Sequence, residues 1–198
     1  MPTPSTVLMA GLCAFGLWFS PVGSSEAAPD EASQAPETKR LDVIYWPTPP
    51  EVVAKMLELA DPKPGEVLYD LGCGDGRIVV AAAKTYGVKA VGIDIDPRRV
   101  KQSNENVKKA GVGSLVTIRR QDVFEIDLSE ASVVTMYLLP NLNQRLRPQL
   151  AKLKPGARVV SHAFLIPGVK PKATVKVRSP HGEQRTVLLY VAPLEDEG

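Results

Sequence analysis

The stretch Val67-Leu-Tyr-Asp-Leu-Gly-Cys-Gly-Asp-Gly-Arg77 decides how this chain is read. Val67 to Asp70 has the character of a short buried strand, and glycines 72, 74 and 76 make a turn. Arg77 to Thr85 (RIVVAAAKT) is apolar enough for a helix lying against a sheet. Glycines in such a turn let the backbone approach a ligand closely, and the amides of the following helix point into the crevice beyond the strand ends. A dinucleotide site uses G-x-G-x-x-G, so that a pyrophosphate rests on the helix amino terminus. Here the spacing is G-x-G-x-G, with Asp70 two residues ahead of the first glycine. A carboxylate in that place repels pyrophosphate and attracts an ammonium, so the turn suits a ligand with a cationic end.

Two further acids follow the same logic. The next strand, Ala90 to Asp94, runs into Ile95-Asp96-Pro97, and Asp94 falls about 20 residues beyond the glycine turn. A carboxylate there can accept hydrogen bonds from ribose hydroxyls. A third strand, Val116 to Arg119, leads to Gln121-Asp122-Val123, where Asp122 can accept from an adenine amino group. Three carboxylates at the tips of three successive strands describe one site better than three solvated loop acids.

The remaining elements set the fold class. Thr48, Pro49, Pro50 and Glu51 form a helix start, with Thr48 as the hydroxyl cap, and Val52, Val53, Met56, Leu57 and Ala60 recur at helical spacing through Pro50 to Ala60. Pro97 to Ala110 is a polar-faced helix closed by Gly111. Val133 to Tyr137 is strand four; a helix over Leu142 to Leu153 is restarted or kinked at Pro148. Arg158 to Ala163 is strand five, and Thr174 to Arg178 with Thr186 to Ala192 forms a hairpin. Alternating strands and helices followed by a hairpin predict an α/β, Rossmann-like fold. Its sheet is mostly parallel, with helices on both faces and an antiparallel strand near the carboxyl end.

Composition narrows the function. Twenty-four basic against 22 acidic side chains leave a net charge of +2, which argues against a dedicated nucleic-acid surface. The two cysteines, Cys13 and Cys73, make neither a disulfide framework nor a zinc site, and no metal is expected. Cys73 reads as a small residue in a tight turn. Residues 1–27 contain the apolar run Val7 to Phe19 (VLMAGLCAFGLWF), short for a bilayer span but of signal-peptide length. A cleaved export signal and a membrane anchor that brings residues 7–19 into contact with a bilayer both remain open. Residues 28–40 read as a disordered tether rich in Pro, Ala, Ser and acids. The domain is placed at residues 41–193, with an acidic tail at 194–198, and the protein as a monomer.

The order YDLGCGDGR, GIDID, QDVFEIDL and LKPGARVV resembles the class I S-adenosylmethionine-dependent methyltransferases over essentially Leu41 to Ala192. The resemblance implies a seven-stranded sheet with a reversed carboxyl-terminal hairpin, and S-adenosylmethionine as methyl donor. It implies that Asp70 faces the methionine amino group and that Gly72, Cys73, Gly74 and Gly76 line the methionine. Asp94 and Ile95 would hold the ribose, and Asp122 with the Val123 amide the adenine. Tyr45-Trp-Pro-Thr-Pro49, LYDLGCGDGRIVVAAAK and VVTMYLLPNLN further resemble the membrane-associated protein-lysine methyltransferases of the ATP synthase c-subunit and adenine nucleotide translocase type. That implies a lysine acceptor in a protein such as a small membrane protein. It departs from the pattern at Cys73, where serine is expected, and at Asp94, where glutamate is.

The acceptor side is less defined. Tyr137-Leu-Leu-Pro140 ends strand four, where amine methyltransferases of this fold present the acceptor, so Tyr137 is the candidate for orienting the amine and Pro140 for contacting it. Tyr45 and Thr48 precede the first helix and suit a lid, Thr48 having the alternative role of a helix cap. His162 ends strand five within reach of the same crevice. Two other readings stand beside protein-lysine methylation: a small-molecule or lipid acceptor, and an exported, non-catalytic binding protein that keeps the fold. The donor argues for access to the cytosol, the amino terminus for export or membrane association.

Overall fold

A computed structural model describes residues 46–180 and 182–197. The expectations placed on the apolar run, on the tether and on Tyr45 lie outside the described residues.

Seven strands form one sheet in the order β3-β2-β1-β4-β5-β7-β6. The strands are β1 (Val67–Leu71), β2 (Lys89–Asp94), β3 (Val116–Arg120), β4 (Val133–Met136), β5 (Arg158–His162), β6 (Ala173–Arg178) and β7 (Gln184–Val191). β1 to β5 run parallel to one another, whereas β7 inserts antiparallel between β5 and β6. The carboxyl ends of β3, β2, β1, β4 and β5 therefore all open on one edge, which is where an open α/β sheet binds its ligands.

Four helices cover the two faces: α1 (Pro50–Ala60), α2 (Arg77–Tyr86), α3 (Pro97–Ala110) and α4 (Pro140–Leu150). Alternation along the strands divides the core. Leu68, Val133, Val160 and Val187 pack with α1, α2 and α3, for which Val52, Met56, Val79 and Val107 supply the apolar stripe. Tyr69, Leu71, Val134, Met136 and Val159 face the other way, onto Leu142, Leu146 and Leu150 of α4 and onto Ile126, Ile166 and Tyr190. α2 begins and ends on left-handed glycines, Gly76 and Gly87, and α3 is capped by Asp96, whose side chain accepts from the Arg98 amide at 2.8 Å.

Three local readings change. Thr48 does not cap α1: the cap position belongs to Pro49 and makes no side-chain bond, because the Thr48 hydroxyl is spent on β5. α4 begins at Pro140 rather than Leu142 and ends at Leu150, and it runs through Pro148. That proline is exposed near the helix end and lacks the amide that the Gln144 carbonyl would otherwise accept from. β4 stops at Met136, so Tyr137 stands just beyond the strand rather than within it. The acidic tail is tied to the domain. Val169 bridges Asp196, Arg147 pairs with Asp196 at 2.6 Å, and the Glu197 amide donates to the Gly168 carbonyl. Among the described residues no helix is long and apolar enough to cross a membrane.

Candidate active site

The sheet changes direction of winding at β1. β2 and β3 lie to one side and β4 to the other, leaving a crevice between the carboxyl ends of β1 and β4. Asp70 stands there, in register with Gly92 of β2 and Thr135 of β4. It is 2% exposed, and the Thr135 hydroxyl donates to its Oδ1 at 2.8 Å. No lysine or arginine among the described residues pairs with it. Burial pushes its carboxyl up to about 7, the Thr135 bond pulls against that, and the neighbouring charges of Asp94 and Asp75 push in the same direction as burial. A buried carboxylate without a cation is costly to keep ionised, and a ligand bringing an ammonium removes that cost.

The glycine turn is built around this acid. The Gly72 and Cys73 amides both donate to the Ile93 carbonyl, at 2.9 and 2.8 Å, which pins the turn to β2. Gly72, Gly74 and Gly76 all take left-handed backbone conformations. A Cβ on Gly72 would lie 3.0 Å from Leu138, and one on Gly76 3.1 Å from the Ser103 hydroxyl, so these two positions are tightly packed as well. Ser103 donates to the Gly74 carbonyl at 2.7 Å. Cys73 is buried against Ser103, and burial, with Asp70 and Asp94 nearby, drives its thiol far above the ordinary range. It is inert packing, as its size suggested.

Asp94 ends β2, next to the turn. Its Oδ2 accepts from the Gly74 amide and its Oδ1 from the Asp96 amide, both at 2.9 Å. Each oxygen keeps one lone pair for a ligand hydroxyl, so the carboxylate is already aimed when the ligand arrives. Burial raises its pKa, and the amide bonds oppose the rise. Ile95 lies half-buried between Asp94 and the capping Asp96. Asp122 follows β3 and accepts from the Phe124 amide at 3.0 Å, forming a turn that leaves the Val123 side chain packed on the core. The three acids thus sit at the carboxyl ends of three adjacent parallel strands, Asp70 and Asp94 within β1 and β2 and Asp122 just beyond β3.

On the other side of Asp70 the character changes. His162 is fully buried at the end of β5, and its Nδ1 lies 3.2 Å from the Thr48 hydroxyl. Tyr137 lies against it with ring centroids 3.9 Å apart, and Phe164 stacks on Tyr137 at 6.0 Å. Burial, with the Arg185 charge nearby, lowers the imidazole to about 4, which leaves it neutral at physiological pH. Three buried polar side chains from different elements hold the loop after β5. Ser161 donates to the Phe164 carbonyl, Asn143 to the Leu165 carbonyl, and Tyr190 accepts from the Ile166 amide. Residues 46–50, 137–144 and 159–169 contain no Asp, Glu, Lys or Arg, and Trp46, Leu139 and Leu165 are exposed. Arg77 joins the two halves. It forks onto Asp75 of the glycine turn at 2.7 and 2.9 Å and donates to the Thr48 carbonyl at 2.8 Å.

The structure therefore gathers Asp70, Gly72, Cys73, Gly74, Gly76, Asp94 and Ile95 on one side, and Thr48, Tyr137 and His162 on the other. Pro140 is exposed at the first position of α4, outside the ring cluster. Thr135, Ser103, Arg77 and Phe164 were not anticipated. Thr135 alone had a visible signal, a hydroxyl inside the otherwise apolar Val133-Val-Thr-Met136.

Residues 70–173 match the model of the ANTKMT methyltransferase domain. The chain belongs to that family. A protein-lysine N-methyltransferase of Saccharolobus islandicus is 50% identical over 151 residues, covering 75% of this chain and 93% of that protein. The adenine nucleotide translocase lysine N-methyltransferase of Mus musculus is 36% identical over 137 residues, covering 69% of this chain and 59% of that protein. The crystal structure of an RNA methyltransferase from Salinibacter ruber with S-adenosyl-L-homocysteine superposes with a TM-score of 0.69. It is 51% identical, covering 77% of this chain and 96% of that one. The protein is an S-adenosylmethionine-dependent methyltransferase with the Rossmann-like seven-stranded fold of that class. Its residues fit the donor, since a buried carboxylate with no cation among the described residues stands beside a turn of three left-handed glycines.

Proposed function

We propose that this methyltransferase modifies a lysine side chain of a protein, with the donor held by the three strand-tip acids. Asp70 takes the ammonium of the methionine part, the backbone from Gly72 to Gly76 lines that part, Asp94 and Ile95 hold the ribose, and Asp122 with Val123 holds the adenine. The observation that carries the donor side is the buried Asp70 carboxylate, which has Thr135 as partner and no cation among the described residues.

The donor supplies an electrophilic methyl on a positively charged sulfur. The chain's own task is to present a neutral nitrogen lone pair in line with it, as the nitrogen–carbon bond forms and the carbon–sulfur bond breaks. Tyr137, His162 and Phe164 line the acceptor side without a carboxylate, and the charge felt by His162 is the cation Arg185. Burial and a neighbouring cation both lower the pKa of an entering ammonium, so the wall favours the free amine. The proton leaves to solvent before the amine is enclosed, and the wall of Tyr137, His162 and Phe164 orients what remains.

The exposed Trp46, Leu139 and Leu165 at uncharged segments favour a lysine presented with apolar flanks, as in a small membrane protein. The names of the Saccharolobus and mouse relatives support this reading. An RNA acceptor is the second reading, since the Salinibacter protein is named for it; the lack of lysine and arginine in residues 46–50, 137–144 and 159–169 argues against it. The reading needs the domain to face a compartment that contains the donor.

Incubating the protein with methyl-labelled S-adenosylmethionine, a membrane-protein fraction and total RNA tests it. Label recovered as methyllysine after acid hydrolysis supports the reading; label confined to RNA or to lipid overturns it.

A further inference from the structure

The acceptor wall contains a polar atom whose presence the fold does not explain. The Nε2 atom of His162 is shut off from solvent and has no hydrogen-bond partner among the described residues. Its ring is fully buried, at the tip of β5 beside the tip of β4, and its other nitrogen is engaged by Thr48. Buried polar groups in folded proteins are almost always paired, because an unmade hydrogen bond forfeits hydration without replacement. An apolar residue of similar size would fill this space at no such cost.

The surroundings hold the ring in place. Ala163, immediately after His162, adopts a left-handed backbone conformation with φ 66°, uncommon for a residue with a Cβ. This reverses the chain so that Phe164 lies against Tyr137. The Phe164 amide donates to the His162 carbonyl at 2.8 Å, and the Ala163 amide donates to the Thr186 carbonyl at the same distance. Strained backbone held by many bonds beside an unpaired buried atom is what a preorganised functional group looks like.

We propose that His162 Nε2 is the acceptor-orienting atom of the transfer, taking a hydrogen bond from one N–H of the incoming amine and thereby turning its lone pair toward the donor methyl. In the proposed arrangement Nδ1–H donates to the Thr48 hydroxyl oxygen, 3.2 Å away, which leaves Nε2 bare to accept. Tyr137, half-buried, covers the imidazole, and the amine reaches Nε2 by displacing the edge of that ring. His162 takes no proton in the step; the amine is already neutral, and after transfer the product nitrogen returns its extra proton to water. This rests on the reading of the wall as the amine site.

Three variants of the full chain separate the roles of the two ring nitrogens. His162→Gln places an amide oxygen near the Nε2 position, His162→Asn keeps a polar atom near Nδ1 for Thr48, and His162→Phe removes both. S-adenosylmethionine binding measured by calorimetry stays at the wild-type affinity in all three, which also shows that they fold. With the polypeptide that the wild type labels, His162→Gln retains most of the wild-type kcat. His162→Asn and His162→Phe lose on the order of 100-fold in kcat with little change in KM, the size of effect seen when one positioned hydrogen-bonding group is removed. Wild-type kcat in His162→Asn, or in all three variants, overturns the proposal. Should the His162 variants not fold, Thr48→Val carries the test. Removing the partner of Nδ1 loosens the ring and lowers kcat by about tenfold, and an unchanged kcat overturns it. Failure of the wild type to label any lysine instead overturns the acceptor reading itself.

Discussion

Thr135 Oγ1 donates to Asp70 Oδ1 at 2.8 Å across the boundary between β4 and β1, at the point where the sheet reverses its winding. The donor's hydroxyl lies inside a strand whose other members are all apolar, so its role is to serve the carboxylate. Removing it leaves a buried acid with less support for its ionised form. Thr135→Val, of equal shape, is expected to weaken S-adenosylmethionine binding about tenfold at pH 7, the worth of one hydrogen bond to a charged group. Isothermal calorimetry reads this directly, and equal affinity would remove Thr135 from the site.

Asp70 also couples stability to pH. Its carboxyl titrates near 7 in the folded protein against 3.8 as the model value for an unfolded chain. Between those values the folded state holds a proton that the unfolded state has released, so stability falls as pH rises and the loss is complete above about 7. Asp70→Asn is therefore expected to raise the melting temperature of the ligand-free protein at pH 8 and to give no gain near pH 4. It should abolish donor binding at both pH values. In the wild type, donor affinity should fall about tenfold per unit below pH 7, because the ammonium is bound by the ionised form.

His162 acts in the opposite direction over nearly the same range. Its imidazole is lowered from 6.5 to about 4 by burial and by Arg185. Between those values the unfolded chain binds the extra proton, so stability rises with pH and is lost as pH falls toward 4. The two slopes partly cancel in the wild type. Denaturant unfolding of His162→Gln between pH 4 and 6.5 should expose the falling slope of Asp70, and that of Asp70→Asn the rising slope of His162. Parallel profiles for the two variants would show that neither group controls the dependence.

Backbone geometry gives a paired test. Ala163→Gly relieves a left-handed alanine and is expected to change stability by no more than about 1 kcal/mol in either direction, because glycine's easier native backbone and freer unfolded chain oppose each other. Gly92→Ala is expected to cost about 1–3 kcal/mol, the range for overpacking a core. A Cβ at position 92 would lie 2.8 Å from Ile118 and 2.9 Å from the Cys73 sulfur. Urea midpoints at pH 7 decide both, and a tolerated Gly92→Ala would mean that the turn can shift away from β2.

The placing of the three acids at one edge of the sheet was legible because their positions relative to the strands are written locally. Asp70 stands two residues before Gly72, Asp94 ends β2, and Asp122 lies just beyond β3, so strand periodicity and short spacings were enough to align them. Helix α4 starts two residues earlier than its apolar spacing suggests, at Pro140, because proline suits the first turn of a helix. Thr48 was the instructive ambiguity. A threonine before two prolines has the form of a cap, yet its hydroxyl bonds His162, 114 residues away in the chain.

From the order of its residues alone, this chain settled its α/β class, its glycine turn and the three acids, since each depends on neighbours within a few positions. The pairing of Thr135 with Asp70, the Thr48–His162 bond and the stack of Tyr137 between His162 and Phe164 depend on which strands lie side by side. That is decided by burying two apolar faces of one sheet at once, a property of the whole fold that no short window of sequence contains.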